Sequence, residues 1–175
     1  FYLLASCPET ADSEWLWQGY QSCANQLADA IGNLATRVLR FVAKNAEGRV
    51  PAYDPARHGD DERLLLEGCG EIGDPAVAVR AFRFRRATEL LIANATIGNV
   101  FVDRTAPWGL RKTDPERAAA VLHLAIQWIA NVARWLAPIA PGKAQALWAM
   151  CGGAGEVTAA GWPSGFDVGG DWRPI

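Results

Sequence analysis

The sequence predicts an all-α fold, a helical bundle of about five helices in a single domain. Several long stretches place apolar residues every three or four positions, and prolines with capping residues mark where new stretches begin. Apart from its two terminal stretches, the chain shows no alternation of apolar and polar residues that would indicate β-strands. With 175 residues, half of them hydrophobic, the chain is long enough for one packed domain, 1–175, and too short for two comfortable ones.

Residues 1–13 are expected to form a short extended start and a polar turn. The first long helix is predicted over residues 17–45, which carry a continuous apolar face. Gly48 and Pro51 mark its end. On the opposite side, four polar side chains spaced by four, three and four positions form a narrow stripe about three turns long. The stripe consists of Asn33, Arg37, Arg40 and Lys44.

Residues 51–61 are predicted to form a connecting loop because they contain two prolines, a glycine and acidic groups. A short helix is predicted over residues 61–68. The next helix should begin at Pro75, with Asp74 as its N-cap, and continue to about residue 103. Because apolar residues lie on nearly every side of this helix, we expect it at the centre of the bundle.

A loop that contains the pair Pro107-Trp108 is expected next, followed by several basic residues. Thr113 and Glu116 form a capping-box pattern, which predicts a helix that stops at Pro138. A last short helix is predicted over residues 144–150. Residues 152–175 form a tail rich in glycine and tryptophan.

Composition excludes several functions. A net charge of −2 does not suit a protein that coats nucleic acid without specificity, so any RNA site must be local, and DNA is not an expected partner. No apolar run is long enough to span a membrane, so we expect a soluble, cytoplasmic domain. The four cysteines show no C-x-x-C spacing, which favours buried free thiols over a metal site.

The sequence contains no catalytic constellation. The glycine-rich nucleotide motifs and the G-x-S-x-G element are absent. His58 and His123 are isolated, and a structural role is expected for His123 inside its apolar helix. Asp60, Asp61 and Glu62 are expected to form a solvated acidic run.

Trp108 has two possible roles at this point: it can fill the core, or it can be an exposed platform for a flat ligand. The basic stripe alone is typical of a solvated helix face. Together they would supply an aromatic ring for a base of single-stranded RNA and donors for its edges. Asn99 and Asp103, one turn apart, are expected to support the site as a clamp that ties their helix to the following loop.

These residues carry a resemblance to the anticodon-binding domain of methionyl-tRNA synthetases, which are class I aminoacyl-tRNA synthetases. Gly32-Asn33-Leu34 and Arg37 resemble the family pattern L-A-N-x-L-G-N-L-x-x-R. Residues 99–117 resemble the block N-x-x-x-D-x-x-A-P-W-x-L-x-K-D-P-E-R. The similarity covers nearly the whole chain, and residues 1–4 resemble the segment that leaves the catalytic domain.

The resemblance implies a site that reads the CAU anticodon of methionine tRNA. Trp108 would stack on a base, with Pro107 shaping its loop, while Asn33 and Arg37 would hydrogen-bond to anticodon bases. Arg40 and Lys44 complete the expected RNA-binding set. Asn99 and Asp103 would lie behind it.

The resemblance also implies that catalysis takes place elsewhere. The H-I-G-H and K-M-S-K-S elements are absent, so ATP and methionine are expected to bind an N-terminal catalytic domain outside this chain, to which residues 1–13 would lead. No cofactor is expected in the chain itself. Two alternatives remain at this point: a free-standing domain that binds tRNA or a protein without aminoacylation, and a helical interaction domain in which Trp108 is core.

Overall fold

The computed structural model describes residues 1–163 as a bundle of helices, with no β-strand in that range, which confirms the predicted all-α class. A π-helical segment, Ala28–Gly32, joins α2 to α3. Residues 164–175, half of the predicted tail 152–175, lie outside the described residues. The helices are α1 (Tyr2–Ser6), α2 (Trp17–Leu27), α3 (Asn33–Asn45), α4 (Pro55–Ile72), α5 (Pro75–Arg80), α6 (Phe84–Thr105), α7 (Pro107–Thr113), α8 (Pro115–Leu136) and α9 (Pro141–Met150).

The predicted number of helices agrees with the long elements. When α2, the π segment and α3 are taken as one continuous run, five helical runs within residues 1–163 have ten or more residues. The shorter helices differ from the prediction: α1 lies in the predicted extended start, α5 is part of a predicted longer helix, and α7 occupies the predicted loop.

Helix α8 lies at the centre of the bundle, with 16 of its 22 residues buried. The sequence places the helix predicted over residues 75–103 there, and this prediction is wrong in two respects. That stretch is broken into α5 and α6, because Phe82 takes a left-handed backbone conformation with φ 57°. Helix α6 also buries only ten of its 22 residues, since charged side chains such as Arg86 and Glu89 occupy its exposed side.

Residues 1–13 begin with a helix instead of the expected extended segment. The short helix α1 buries Tyr2. The hydroxyl of Tyr2 accepts a hydrogen bond from the backbone N–H of Leu16 at 3.0 Å, which fixes α1 against the start of α2.

Residues 51–54 are non-helical, as predicted, but helix α4 takes up the rest of the predicted loop 51–61 and extends beyond both ends of the predicted short helix 61–68. Asp54 caps it by accepting from the N–H of Ala56 at 3.0 Å, and Pro55 is its first residue. The same Asp-Pro signal correctly predicts Asp74 as the cap of α5, where the carboxylate accepts from Ala76 N–H at 2.8 Å. The acidic residues and Gly59 therefore lie inside a helix, which is kinked at His58.

Helix α8 begins at Pro115, but its cap is not Thr113. Asp114 accepts from the N–H of Arg117 at 3.0 Å, and Thr113 is the last residue of α7. The capping box fails because the chain is still helical at Thr113, which leaves Asp114, with φ −147° and ψ 79°, as the non-helical residue before the new helix.

Candidate nucleic-acid interface

The position of Trp108 depends on a sharp change of direction after α6. Ala106 ends α6 in a left-handed conformation, with φ 41° and ψ 60°, and its N–H donates to Val102 O at 3.0 Å. Buried Pro107 then begins α7, for which its fixed φ is suited. Trp108 is therefore the second residue of a helix, and the predicted loop is wrong.

The indole of Trp108 is half-buried against α3. The guanidinium carbon of Arg37 lies 5.1 Å from the ring centroid, which is the distance of a cation–π contact. The ring of Phe41 meets the indole edge to face, with centroids 5.8 Å apart and planes at 67°. Trp108 is thus neither a fully buried core residue nor a fully exposed platform.

Arg37 is held from two sides. Its Nη2 donates to Asp103 Oδ1 at 2.5 Å, and the same guanidinium covers the indole of Trp108. The side chain of Arg37 is 30% exposed and that of Asp103 is 60% exposed, so this pair lies at the surface. Asp103 therefore contacts a candidate RNA-binding residue directly and orients its guanidinium.

Asn99 supports a different part of the site from the one expected. Its Nδ2 donates to Ala30 O at 2.8 Å and to Ala95 O at 3.2 Å. Ala30 belongs to the π segment that directly precedes Asn33. The sequence predicts a clamp to the loop after α6, and this is wrong because Asn99 faces the π segment. Irregular helical turns of this kind occur often at functional sites.

The stripe predicted on α3 is present, and three of its four side chains are exposed. Asn33 is the first residue of α3, and Arg40 and Lys44 follow on the same exposed side. The structure brings Arg37 and Trp108 together. No hydrogen bond or ring contact within residues 1–163 joins Asn33 to Trp108.

Three residues near Trp108 were missed at the level of sequence. Phe41 lies on the apolar face of the predicted helix 17–45, and its ring contacts Trp108 at the edge of the site. Arg111 Nη1 donates to Asn45 Oδ1, and Asn45 Nδ2 donates to Phe41 O at 2.8 Å. The only local signal was the helical spacing of Arg37, Phe41 and Asn45, each four residues apart.

Comparison with known proteins identifies the family. Residues 54–169 match the anticodon binding domain of methionyl tRNA ligase. This chain belongs to that family.

Relatives of this anticodon-binding domain are longer proteins. Methionine–tRNA ligase of Caulobacter vibrioides is 34% identical over 167 residues, which cover 94% of this chain and 28% of the relative. Methionine–tRNA ligase 1 of Acaryochloris marina is 36% identical over 149 residues, covering 84% of this chain and 26% of the relative. The chain thus spans little more than a quarter of the length of these curated relatives.

Solved structures agree with this assignment. The apo form of Mycobacterium tuberculosis methionyl-tRNA synthetase has a TM-score of 0.78 at 25% identity, covering 99% of this chain and 38% of that protein. The complex of the same enzyme with methionyl-adenylate also has a TM-score of 0.78, covering 95% and 34%.

Other polar groups of the anticodon-binding domain hold its helices together. Asp61 was expected in a solvated run, but its side chain is only 8% exposed, and Arg117 donates to both of its oxygens at 2.9 and 3.0 Å. The prediction is wrong because Asp61 faces the start of α8. This planar two-bond geometry ties α4 to α8.

His123 has structural partners, as its sequence context predicts. Its Nδ1 lies 2.8 Å from Pro51 O, its Nε2 lies 3.0 Å from Gln127 Nε2, and its ring stacks on Tyr53 with centroids 5.3 Å apart. Because Pro51 O can only accept, Nδ1 carries the proton and Nε2 accepts from Gln127. Burial lowers the pKa of His123, and the bond to Pro51 O opposes that effect.

The cysteines are free thiols, but only Cys151 is buried, while Cys7, Cys23 and Cys69 are partly exposed. Burial raises the pKa of the Cys69 and Cys151 thiols. Among residues 1–163, no cluster of three or more His, Cys, Asp or Glu side chains is arranged to hold a metal ion. None of the helices in that range combines the length and apolar composition of a membrane span.

Proposed function

We propose that this chain binds the CAU anticodon stem-loop of methionine tRNA, as the anticodon-binding part of a methionine–tRNA ligase. One observation carries the proposal. A partly buried indole, Trp108, lies against α3 beside the guanidinium of Arg37, at one side of a row of exposed polar side chains. An aromatic face next to planar hydrogen-bond donors suits an unstacked RNA base.

Each side chain then has a specific role. Trp108 stacks on one anticodon base, and Pro107 fixes the start of α7 that presents the ring. Arg37 has five N–H donors, and its bond to Asp103 uses a donor on Nη2, so others can reach the edge of a base. Asn33 offers an amide that can both donate and accept at base edges.

Phosphate contacts are assigned to Arg40 and Lys44, the two exposed cations further along α3. Lys112, next to Arg111 in the last turn of α7, adds positive charge beside α3. This local concentration lies in a chain of net charge −2, so RNA affinity is expected to come from this surface and to fall with added salt.

The chemistry is assigned to a catalytic part outside this chain, in the cytoplasm. The chain spans 28% of the length of the Caulobacter ligase, and adenylation of methionine with ATP would belong to the remainder. We therefore expect the purified chain to support no methionine-dependent pyrophosphate exchange. Exchange above background would contradict this division.

The test of the proposed site is discrimination between anticodons. The chain is titrated with a CAU stem-loop and with stem-loops that carry one changed anticodon base each. A lost base contact costs about 1–3 kcal/mol of binding free energy, so we expect each change to weaken binding by about five- to a hundredfold. Arg37→Ala should reduce the discrimination at one position, and Arg63→Ala on α4 serves as the charge control. Equal affinity for all stem-loops would contradict anticodon recognition.

A further inference from the structure

Helix α7 is joined to α3 by side chains at two successive turns. Trp108 contacts Arg37 and Phe41, and three residues later Arg111 donates to the side chain of Asn45. Asn45 in turn donates to the backbone oxygen of Phe41 at 2.8 Å. The second link, formed by Arg111 and Asn45, is called the α7 brace below.

We propose that the α7 brace positions Trp108 for RNA binding, so that Arg111 and Asn45 are positioning residues for the anticodon site. The inference rests on the proposed function of Trp108. Arg111 acts on the RNA through α7, whose distance from α3 it fixes. The ring of Trp108 then stays beside Arg37 and Phe41.

The need for such a brace follows from the size and attachment of α7. The helix has only seven residues, and isolated helices of that length are unstable in water. It begins after Ala106, which is held in a left-handed conformation that is unfavourable for a residue with a side chain. Buried Pro107 and partly buried Leu110 fix α7 against the core. The link from Arg111 to Asn45 adds a fixed point on α3 itself.

Asn45 is suited to hold its part of the brace because both of its polar atoms are engaged. Its Oδ1 accepts from Arg111, while its Nδ2 donates one helical turn back to Phe41 O. The amide is therefore oriented by α3 before Arg111 reaches it. The same turn of α3 carries Phe41, whose ring touches Trp108, so the brace and the ring contact share one turn of backbone.

A direct contact between Arg111 and an RNA phosphate is the rival explanation, and a double-mutant design separates the two. Arg111→Gln, Arg111→Lys and Asn45→Leu are made in the wild-type chain, and Arg111→Gln and Asn45→Leu are also made in the Trp108→Ala chain. Affinity for the CAU stem-loop is measured at several salt concentrations. Arg49→Gln removes an exposed charge just beyond α3 as the matched control. Circular dichroism and urea midpoints identify the folded variants.

If the brace positions Trp108, Arg111→Gln and Asn45→Leu each weaken binding by about three- to tenfold in the wild-type chain and by less than twofold in the Trp108→Ala chain. Arg111→Lys keeps the charge but loses the planar donor, and it should resemble Arg111→Gln. Arg49→Gln should leave affinity within twofold.

Three results would overturn the inference. The first is unchanged affinity in both brace variants. The second is a loss of affinity with Arg111→Gln that persists in the Trp108→Ala chain and is accompanied by a weaker salt dependence, while Asn45→Leu binds normally. That combination is the behaviour of a phosphate contact. The third is an equal loss with Arg49→Gln. Normal binding by Trp108→Ala itself would instead contradict the proposed function, so the two failures are distinguishable.

Discussion

Gly98 lies in the middle of α6 where this helix approaches both α3 and α8. A Cβ added at Gly98 would lie 2.6 Å from Leu34 Cδ2 and 2.7 Å from Trp128 Cδ1. Non-bonded carbon atoms prefer about 3.5–4.0 Å. Leu34 and Trp128 are both only 1% exposed, and Trp128 Nε1 donates to Asn94 O at 2.8 Å, so neither side chain can move freely. Gly98→Ala must therefore separate α6 from its neighbours.

The magnitude follows from two opposing effects. Replacing a helical glycine by alanine stabilises a helix by about 1 kcal/mol, whereas forcing extra volume into a packed core costs about 1–3 kcal/mol. Gly70→Ala on α4 is the matched control, because no atom beyond its chain neighbours and its own helix backbone lies within 4 Å of the added Cβ. We expect Gly70→Ala to be more stable than Gly98→Ala by about 1–3 kcal/mol, the packing cost alone.

Urea denaturation followed by circular dichroism measures this difference, and thermal midpoints should differ by roughly 2–4 °C per kcal/mol. Gly98→Ala should also weaken CAU stem-loop binding, since Asn99 and Asp103 follow on the same helix and contact Ala30 and Arg37. Equal stability of the two variants would refute the close packing described for α3, α6 and α8.

Three further predictions concern stability. Leu90→Asp places an unpaired charge at a buried position of α6 and should destabilise the chain by several kcal/mol, which an unchanged urea midpoint would contradict. The pKa of His123 is lowered in the fold, so its contribution to the free energy of unfolding is complete above its unfolded pKa of about 6.5 and declines as the pH falls below that value. His123→Gln should therefore lose less stability between pH 7.5 and 5 than the wild type. Arg117→Leu leaves the buried Asp61 carboxylate unpaired and should lower the free energy of unfolding by about 1–3 kcal/mol, a moderate amount because the 45% exposed site of Arg117 gives water some access to that carboxylate. The double variant Asp61→Leu/Arg117→Leu removes the unpaired charge and should recover part of the loss.

The features that could be predicted from sequence are those with local signals. The stripe on α3 follows from helical periodicity, and the cap of α5 follows from the pair Asp74-Pro75. No local signal places Trp108 beside Arg37, and only the resemblance to the synthetase family puts both residues in one site. Their roles in RNA binding remain predictions.

The features that were missed depend on backbone conformations without a sequence signal. Phe82 and Ala106 adopt left-handed conformations that usually call for glycine or asparagine, so neither the break before α6 nor the turn into α7 is marked. Without that turn, Trp108 is assigned to a loop. The contacts of Arg37 with Asp103 and of Arg111 with Asn45 join residues 66 positions apart, and only the packing of α3 against α6 and α7 brings them together.

The most direct test of the anticodon-binding role is the affinity of Trp108→Ala for the CAU stem-loop, measured beside its urea midpoint and with Trp108→Phe as the conservative control. Stacking of a base on an aromatic ring is worth about 1–3 kcal/mol, so Trp108→Ala should bind roughly five- to a hundredfold more weakly. Its loss of stability should stay below the about 3–5 kcal/mol of a core tryptophan, because the residue is only partly buried. Trp108→Phe keeps a ring and should recover most of the affinity. A folded Trp108→Ala chain that binds the CAU stem-loop as tightly as the wild type would contradict the role assigned to this site.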